Sequence, residues 1–217
     1  MTDTGTTDST GTERYWEERY RAAPVWSGRP NVLLVREVEA LPPGTALDLG
    51  CAEGADAVWL AQRGWRVTGV DVSPTALRRA AAHAADAGVV VDWQQHDLAR
   101  TFPEGTFDLV CAQYLHSPDE VPGRRDAVLR RAAAAVAPGG LLLVVGHAAH
   151  TPWSAQHHHV HLPTTGEVLA ALALDPATWH VELEDVVDRD ATDPDGNPAT
   201  RRDNVLRVRR GLPGARP

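Results

Sequence analysis

Residues 47–64 read LDLGCAEGADAVWLAQRG and form the most informative stretch of the sequence. An apolar run that carries Asp48 leads into a cluster of small residues and then into a helical pattern. A strand that ends in a tight turn before a helix presents free backbone N–H groups and the positive helix end to a ligand. Asp71 closes the next predicted strand 23 residues after Asp48, where a carboxylate can accept both hydrogen bonds from a ribose diol. The stretch therefore predicts a site for an adenosine-containing cofactor.

Short β-rich runs alternate with helical stretches on both sides of this motif. Ser73 followed by Pro74 supplies an N-cap and then a proline at the first helical position. This alternation of strands and helices argues for a parallel sheet that is covered on both faces. Strands are predicted at residues 45–49, 66–70, 89–96, 107–113 and 141–145, and helices at residues 13–23, 31–40, 54–63, 74–87 and 124–137.

The pattern changes after His147. Thr164, with Glu167 three residues later, forms a capping box that predicts a short helix. Two alternating segments, WHVELEDVVDRD at residues 179–190 and TRRDNVLRVRR at residues 200–210, flank the turn-rich ATDPDGNPA. They predict a terminal antiparallel hairpin.

Length and composition restrict the classes of protein. At 217 residues the chain is long enough for one well-buried domain. The formal net charge of -8, with no run of Lys or Arg longer than two residues, disfavours nucleic acid as a partner. Cys51 and Cys111 are the only cysteines and are expected to be buried free thiols. Residues 1–12 are expected to be a disordered tail without signal-peptide features, and no apolar run approaches the roughly 20 residues that span a bilayer. We therefore expect a soluble cytoplasmic protein that has no membrane partner.

The glycine pattern of the first turn separates two kinds of adenosyl ligand. Dinucleotide-binding turns have glycine at the first, third and sixth positions, which here hold Gly50, Ala52 and Ala55. The stretch instead has the order Asp48-x-Gly50-x-Ala52-x-Gly54, which resembles the first motif of the class I S-adenosylmethionine-dependent methyltransferases. The resemblance implies that Asp48 faces the ammonium of the cofactor and that Gly50 lets the backbone close on its methionine part. Ala52 departs from the family, in which most members have glycine.

The resemblance continues to residue 145. Asp71 and Val72 match the second motif, which is a ribose clamp followed by an apolar neighbour of the adenine. QHDL at residues 95–98 matches the third motif, in which Asp97 is expected to accept from the adenine amino group. The fourth motif and the turn and strand that follow it are matched by FDLVCAQYLH at residues 107–116 and VAPGGLLLVV at residues 136–145.

The resemblance implies an α/β fold of the Rossmann-like, doubly wound type. Its sheet would be mostly parallel and seven-stranded, in the order 3-2-1-4-5-7-6, with helices on both faces and a terminal antiparallel hairpin. The implied cofactor is S-adenosyl-L-methionine. The expected contacts to it come from Asp48, Gly50, Ala52, Gly54, Asp71, Val72, Asp97, Leu98, Gln113 and Trp26.

Residues 15–31, YWEERYRAAPVWSGRPN, are similar to the lid of a subgroup of this family, the tellurite-resistance and thiopurine or halide/thiol methyltransferases. Residues 13–217 are therefore expected to form a single domain. Within it, residues 13–40 would form lid helices, residues 41–150 the cofactor-binding core, and residues 151–217 a substrate loop and the C-terminal hairpin.

Tyr114, His116 and His147 are the catalytic candidates, because they follow the fourth and fifth predicted strands at the edge where open α/β sheets bind ligands. The fourth strand continues into AQYLH and not into the Asn/Asp-Pro-Pro-aromatic signature associated with amino-group methylation of bases or glutamine. A small-molecule acceptor is therefore favoured. Neither histidine has an acid paired with it in the sequence, and this observation, with the lid resemblance, favours a thiol, chalcogen or halide nucleophile that needs no base.

The sequence leaves three other functions possible. A small hydroxyl or phenol acceptor would need one of the histidines as a base. A non-catalytic adenosyl-binding module would bind the cofactor without turnover, and a dehydrogenase of the NAD type would need a better glycine turn. The protein is expected to be a monomer or a dimer.

A histidine-rich segment lies between the predicted core and the hairpin. It contains His157, His158, His159 and His161, and is expected to be a solvated loop beside the substrate opening. Consecutive histidines do not all converge on one ion without an irregular loop, and no Cys or nearby acid completes a ligand set. No metal is therefore expected.

Overall fold

The computed structural model of the chain describes residues 11–24, 27–116, 121–153 and 161–212. Residues 1–10 of the predicted disordered tail lie outside the described residues. Its last two residues, Gly11 and Thr12, belong to the first helix instead, so the predicted boundary of the tail is wrong by two positions. Within the described ranges, no helix is long and apolar enough to cross a membrane.

A seven-stranded sheet forms the centre of the molecule. Its strands are, in chain order, β1 Thr45–Leu49, β2 Arg66–Asp71, β3 Asp92–Gln95, β4 Phe107–Gln113, β5 Val136–His147, β6 Trp179–Thr192 and β7 Pro198–Arg210. Their order across the sheet is β3-β2-β1-β4-β5-β7-β6. Neighbours among β1 to β5 are parallel, whereas β7 is antiparallel to both β5 and β6. The predicted fold class and strand order are confirmed.

Helices pack on both faces of this sheet. The described residues contain α1 Gly11–Ala22, α2 Val32–Val38, α3 Ala55–Gln62, α4 Pro74–Asp86, α5 Arg124–Ala134 and α6 Thr165–Leu172. Side chains of β4 alternate between two apolar clusters. Val110 and Ala112 belong to the cluster that contains residues of α5 and α6, and Leu109 and Cys111 to the cluster that contains residues of α2 and α3. Burial on both faces explains why this strand is a nearly continuous apolar run in the sequence.

The starts of α4 and α6 follow the predicted capping signals. Ser73 Oγ accepts a hydrogen bond from Ala76 N at 3.1 Å, and Pro74 is the first residue of α4. In α6, Thr164 Oγ1 accepts from Glu167 N at 3.2 Å, and the Glu167 carboxylate accepts from Thr164 N at 2.8 Å. Caps of this kind each stabilise a helix by about 1 kcal/mol. Both predictions are confirmed.

The largest error in the predicted elements lies at the start of β5. The prediction extended the preceding helix to residue 137 and began the strand at residue 141, whereas α5 ends at Ala134 and β5 begins at Val136. Val136 pairs with Phe107, and the pairing then shifts register before it becomes regular at Leu141. Alanine has the highest helix propensity, so the Ala-rich sequence extended the predicted helix too far.

β3 is shorter than predicted: the prediction began the strand at residue 89, whereas β3 begins at Asp92. Gly88 has a positive φ of 69°, and Val89 N still donates to Ala84 O, so this part of the chain completes the C-terminal end of α4. Val90 is exposed. Pairing with β2 begins only at Asp92.

The C-terminal hairpin is confirmed, and it is longer than the sheet beside it. β7 pairs with β5 from Asp203 to Arg209, while β6 and β7 remain paired as far as Thr192 and Pro198. Because β7 runs opposite to β5, the tip of the hairpin extends beyond the carboxyl end of β5. The hairpin therefore places side chains at the sheet edge where open α/β sheets bind their ligands.

Candidate active site

Asp48 lies near the carboxyl end of β1 and is 2% exposed. Its Oδ1 accepts from Cys111 Sγ at 3.7 Å, whereas Oδ2 is buried and has no hydrogen-bond partner among the described residues. Burial raises the pKa of Asp48 well above its usual value, and the nearby carboxylates of Asp56 and Asp71 raise it further. Both cysteines are buried free thiols, as predicted. The turn after β1 thus brings several carboxyl groups together, and no cationic side chain among the described residues pairs with Asp48.

The turn between β1 and α3 has an unusual backbone. Gly50, Ala52 and Gly54 have φ values of 71°, 52° and 84°. This left-handed region suits glycine, and it costs other L-residues about 1 kcal/mol or more. A Cβ at Gly50 would lie 2.9 Å from Leu115 Cδ1, so this position also needs the missing side chain. Ala52 adopts the conformation for which glycine is the usual residue.

Asp71 connects this turn to the end of β2. Its Oδ2 accepts from Ala52 N at 3.0 Å, and its Oδ1 accepts from Ser73 N at 2.9 Å. Burial raises the pKa of Asp71 to about 6, against these backbone hydrogen bonds. Each carboxylate oxygen can accept more than one hydrogen bond, so both oxygens can still accept hydrogen bonds from the hydroxyls of a ribose.

The other expected cofactor contacts lie along the same sheet edge. Val72 follows β2, and its carbonyl oxygen accepts from Gln95 Nε2 at 3.2 Å. Asp97 Oδ1 accepts from Ala99 N at 3.1 Å, so this carboxylate also shapes its own turn, and Leu98 follows it against the core. Trp26 lies outside the described residues.

Gln113 ends β4, and β4 is the neighbour of β1. Neither its side-chain nitrogen nor its side-chain oxygen has a hydrogen-bond partner in the described parts of the chain, although both atoms are buried. Buried polar groups are normally paired, so unpaired ones need an explanation. A ligand that offers a cation to Asp48 and polar atoms to Gln113 would give these buried atoms their partners. The ammonium, carboxylate and ribose of S-adenosylmethionine have this chemistry, so the residues present fit the expected cofactor.

Helix α1 is attached to the first residues of α4. The Glu17 carboxylate accepts from Ser73 Oγ at 2.6 Å and from Thr75 Oγ1 at 2.5 Å. Burial acts to raise the pKa of Glu17, but these hydrogen bonds outweigh it and lower the pKa to about 2. Glu17 is therefore ionised at neutral pH, and it holds α1 next to Asp71. Helix α1 carries Trp16 and Tyr20 in the predicted aromatic segment, and Tyr20 is buried.

Tyr114 lies at the same sheet edge, at the ends of β4 and β5, a region that we call the acceptor side. It follows β4 with a φ of 50°, which is unusual for a bulky residue. Its hydroxyl donates to Asp203 Oδ2 at 2.9 Å. Burial, and then the charge of Asp203, raise the pKa of Tyr114 to about 12. Strained residues of this kind persist where the surrounding contacts hold them, often at functional sites.

Asp203 connects these side chains. It lies on β7 opposite His147 of β5, is 0% exposed, and accepts from His147 Nδ1 at 3.0 Å and from Arg189 Nε at 2.9 Å. Burial acts to raise the pKa of Asp203, but the hydrogen bonds from His147, Arg189 and Tyr114 outweigh it and lower the pKa. Asp203 is therefore a carboxylate at neutral pH, held by three donors.

His116 completes a stack of rings. Its ring centroid lies 5.6 Å from that of His147, which lies 4.4 Å from that of Tyr114. Desolvation, and then the charges of His147 and Arg125, lower the pKa of His116 to about 4. The structure thus brings together all three side chains predicted as catalytic, on one side of the edge.

Asp203, Arg189 and Arg125 were not among the predicted site residues. Asp203 is 56 residues from His147. The fold therefore gives His147 an acid partner that the sequence around it does not contain. A detectable signal for Asp203 is an acid shortly before Val205, Leu206 and Val208 in an alternating segment of the predicted hairpin.

Among the residues that the structure describes, no cluster of three or more His, Cys, Asp or Glu side chains forms a metal site. His161 is exposed and pairs with Glu167 at 3.3 Å. His157, His158 and His159 lie outside the described residues, so the prediction of a solvated loop there stays a prediction.

Comparisons with known proteins agree on one family. A family model described as a methyltransferase domain matches residues 46–140. The chain is 33% identical over 162 residues to a 2-heptyl-1-hydroxyquinolin-4(1H)-one methyltransferase from Mycobacteroides abscessus, and the alignment covers 70% of each chain. It is 42% identical over 106 residues to a ubiquinone biosynthesis O-methyltransferase from a Methylobacterium species, which covers 48% of this chain. That alignment spans 41% of the relative, less than half of its length.

Solved structures show the same fold. A protein from a study of the conversion of a disulfide bond into a thioacetal group during echinomycin biosynthesis superposes with a TM-score of 0.73. The match covers 94% of this chain and 93% of that one, at 22% identity. At this level of identity the likeness concerns the fold alone.

Proposed function

The chain belongs to the class I S-adenosylmethionine-dependent methyltransferases, and we propose that it methylates a hydroxyl oxygen of a small molecule, with His147 as the general base. The observation that carries this proposal is the 3.0 Å contact between His147 Nδ1 and the buried Asp203 carboxylate. When bound, the cofactor supplies a methyl group that its sulfonium already activates. The protein therefore needs to position the acceptor oxygen and to receive its proton.

The contact with Asp203 assigns the tautomer of His147. The low pKa of Asp203 keeps this group a carboxylate, which only accepts hydrogen bonds. The proton of neutral His147 therefore lies on Nδ1, and Nε2 is left as an acceptor. An acid that orients a histidine in this way is a recurring arrangement for general bases. As the new bond to oxygen forms, the hydroxyl proton passes to Nε2, and Asp203 stabilises the resulting imidazolium.

The neighbouring side chains position this base. The Tyr114 hydroxyl and Arg189 donate to Asp203, so they hold its carboxylate towards His147. With a pKa of about 12, Tyr114 keeps its proton at neutral pH and does not act as a base. His116, with a pKa of about 4, is uncharged there and provides a flat wall beside His147.

On the cofactor side, we assign the ammonium of the methionine part to Asp48 and Gln113, and the ribose diol to Asp71. The orphaned polar atoms of Asp48 and Gln113 support the first assignment. Gly50, Ala52 and Gly54 would bring the backbone close to the methionine part. Val72, Leu98 and Asp97 would border the adenine.

Residues 13–40 would act as a lid of the same domain, over the core of residues 41–150. The contact of Glu17 with Ser73 and Thr75 supports this role, because it holds α1 beside the proposed ribose clamp. Closing a site excludes water and strengthens the polar contacts inside it. Residues 151–217 would supply the substrate loop and, through the hairpin, Asp203 and Arg189.

Two relatives support oxygen as the acceptor atom. One is named as an O-methyltransferase of ubiquinone biosynthesis, and the other as a methyltransferase of a hydroxyquinolone. A thiol, chalcogen or halide acceptor is the competing proposal, which the lid resemblance favours. Such nucleophiles are competent near neutral pH without a base, so they give no reason for a buried acid behind His147.

A screen of acceptors separates these proposals. Release of S-adenosylhomocysteine is measured for phenols, aliphatic hydroxyls, thiols, chalcogen oxyanions and halides, with the wild-type chain and with His147→Ala. We expect turnover of a phenol or other hydroxyl that falls by about 10²- to 10⁴-fold in His147→Ala. His180→Ala, which alters an exposed histidine of β6, is the matched control and should leave turnover unchanged. Turnover confined to thiols or halides, or a fall below tenfold with the hydroxyl acceptor, would reject the proposal.

A further inference from the structure

Arg125 lies in the first turn of α5 and has an unusual environment for an arginine. Its Nε donates to Leu115 O at 3.3 Å, while Nη1 is shielded from solvent and has no hydrogen-bond partner among the described residues. Within the same residues, no ion pair involves Arg125. Burial lowers the pKa of Arg125, and the charge of Asp126 opposes this shift. One edge of the guanidinium is thus desolvated, and no carboxylate among the described side chains forms an ion pair with it.

The guanidinium lies beside the proposed base. Leu115, whose carbonyl it contacts, precedes His116, and a Cβ at Gly146, which precedes His147, would lie 3.9 Å from Arg125 Nη2. Its charge also acts on His116 directly. Arg125 therefore lies next to the backbone that carries His116 and His147.

A buried charge without a partner is unfavourable by several kcal/mol, so proteins normally pair it or use it. The carboxylate nearest to the proposed base, Asp203, is already held by Tyr114, His147 and Arg189. In the described parts of the chain no carboxylate is therefore left to pair with Arg125, and a bound molecule would supply such an anion. A planar guanidinium whose Nη1 has no described partner matches a carboxylate in particular.

We propose that Arg125 binds an anionic oxygen of the acceptor, and that the acceptor is an aromatic hydroxyl compound with a carboxylate on the neighbouring ring carbon. Arg125 lies beside the backbone that precedes both histidines, so its anion would lie close to the oxygen that faces His147 Nε2, as a carboxylate on the neighbouring ring carbon does. The stacked rings of Tyr114, His147 and His116 suit a flat acceptor. The proposal rests on the proposed function for the identity of the methylated atom, and on Arg125 for the anion.

Binding of two probes tests Arg125 without any turnover. Salicylate and salicylamide share a phenol and differ in one charged group, and their affinities are measured by calorimetry with the full chain saturated with S-adenosylhomocysteine. Hydrogen bonds to a charged group are worth about 1.5 to 3 kcal/mol, so the wild type should prefer salicylate by about 10- to 100-fold. In Arg125→Gln we expect this preference to fall below about threefold, with the affinity for salicylamide unchanged.

Arg130→Gln is the matched control, because it removes the same charge from the exposed side of α5, where Arg130 contacts Ala171 O. It should keep the preference for salicylate, and Arg125→Lys should keep part of it. The melting temperature of Arg125→Gln should stay equal or rise, because a desolvated charge is removed. A fall in melting temperature together with weaker binding of both probes would assign Arg125 a structural role and overturn the proposal.

Three further results would overturn it: no preference for salicylate in the wild type, an unchanged preference in Arg125→Gln, or no binding of either probe at about 10 mM. None of these results depends on His147, because the complex with S-adenosylhomocysteine does not turn over. Conversely, a failure of base catalysis would appear in the acceptor screen and would leave the probe preference intact.

Discussion

Two buried carboxylates, Asp48 on the cofactor side and Asp203 on the acceptor side, lie at the same sheet edge in opposite electrostatic states. Asp48 leaves one oxygen without a partner, and burial and neighbouring acids raise its pKa. Asp203 is as deeply buried, but three donors lower its pKa. Asp48 therefore leaves an oxygen available for a positive charge of a ligand, whereas the partners of Asp203 all come from the protein itself.

The largest effect is expected on the acceptor side, from Asp203→Asn. The amide no longer stabilises an imidazolium, and it no longer selects the tautomer that leaves His147 Nε2 free. We expect turnover of a hydroxyl acceptor to fall by about 10³-fold, with the affinity for S-adenosylhomocysteine unchanged. Steady-state rates and calorimetry measure the two quantities. Asp188→Asn, which alters an exposed partner of Arg202, should change neither. A fall in turnover below tenfold would remove the distinction between the two carboxylates.

On the cofactor side, Asp71→Ala should weaken cofactor binding and not the chemical step. Losing charge-assisted hydrogen bonds to a ribose diol costs about 2 to 3 kcal/mol, or about 30- to 150-fold in affinity. Calorimetry with S-adenosylhomocysteine gives this value, and Asp92→Ala on the exposed side of β3 is the control. Unchanged affinity in Asp71→Ala would show that the ribose lies elsewhere.

The pH dependence of cofactor binding should follow the raised pKa values. Burial raises the pKa of Asp71 to about 6 and also raises the pKa of Asp48, so both groups are protonated more readily in the folded protein than in the unfolded chain. Their raised pKa values therefore favour the folded state without ligand at low pH, and this contribution is lost as the pH rises through about 6. A cationic ligand prefers the ionised carboxylates, so its affinity should rise over the same range, by about tenfold between pH 5 and 7. An affinity for S-adenosylmethionine that is constant over this range would contradict this account of the cofactor side.

The smallest effect is expected for Ala52→Gly. Relief of the left-handed backbone gains about 1 kcal/mol, but glycine adds a similar entropy to the unfolded chain. We expect a change in stability within about 0.5 kcal/mol and an affinity for S-adenosylhomocysteine that is equal or up to about threefold higher. Chemical denaturation and calorimetry measure these quantities. A tenfold loss of affinity would mean that the cofactor does not lie at this turn.

The two sides also differ in how far sequence predicts them. Asp48, Gly50 and Asp71 lie at or next to strand ends within one strand-turn-helix-strand unit, so local pattern was sufficient to propose them as a set. The hairpin was also predictable, because alternation and turn residues are local signals. The start of β5 was not, because helix propensity and strand pairing compete over the alanines before Val136.

The acceptor side depends on pairing between distant strands. Tyr114 and His147 were found because they end adjacent predicted strands, but Asp203 reaches them only through the register of β7 against β5. A shift of that register by one residue would turn its carboxylate to the other face of the sheet. No local pattern fixes this register. Arg189 likewise depends on the register of β6 against β7, and the environment of Arg125 depends on the contact of α5 with Leu115.

Base catalysis by the Asp203–His147 pair is tested by the pH–rate profile with a phenolic acceptor, in the wild type and in His147→Ala. In the wild type, we predict full turnover well below the pH at which the phenol ionises, since His147 accepts its proton. In His147→Ala, turnover should be low there and should increase only as the phenol itself ionises near pH 10. Turnover of His147→Ala that equals the wild-type rate at neutral pH would contradict base catalysis by this pair.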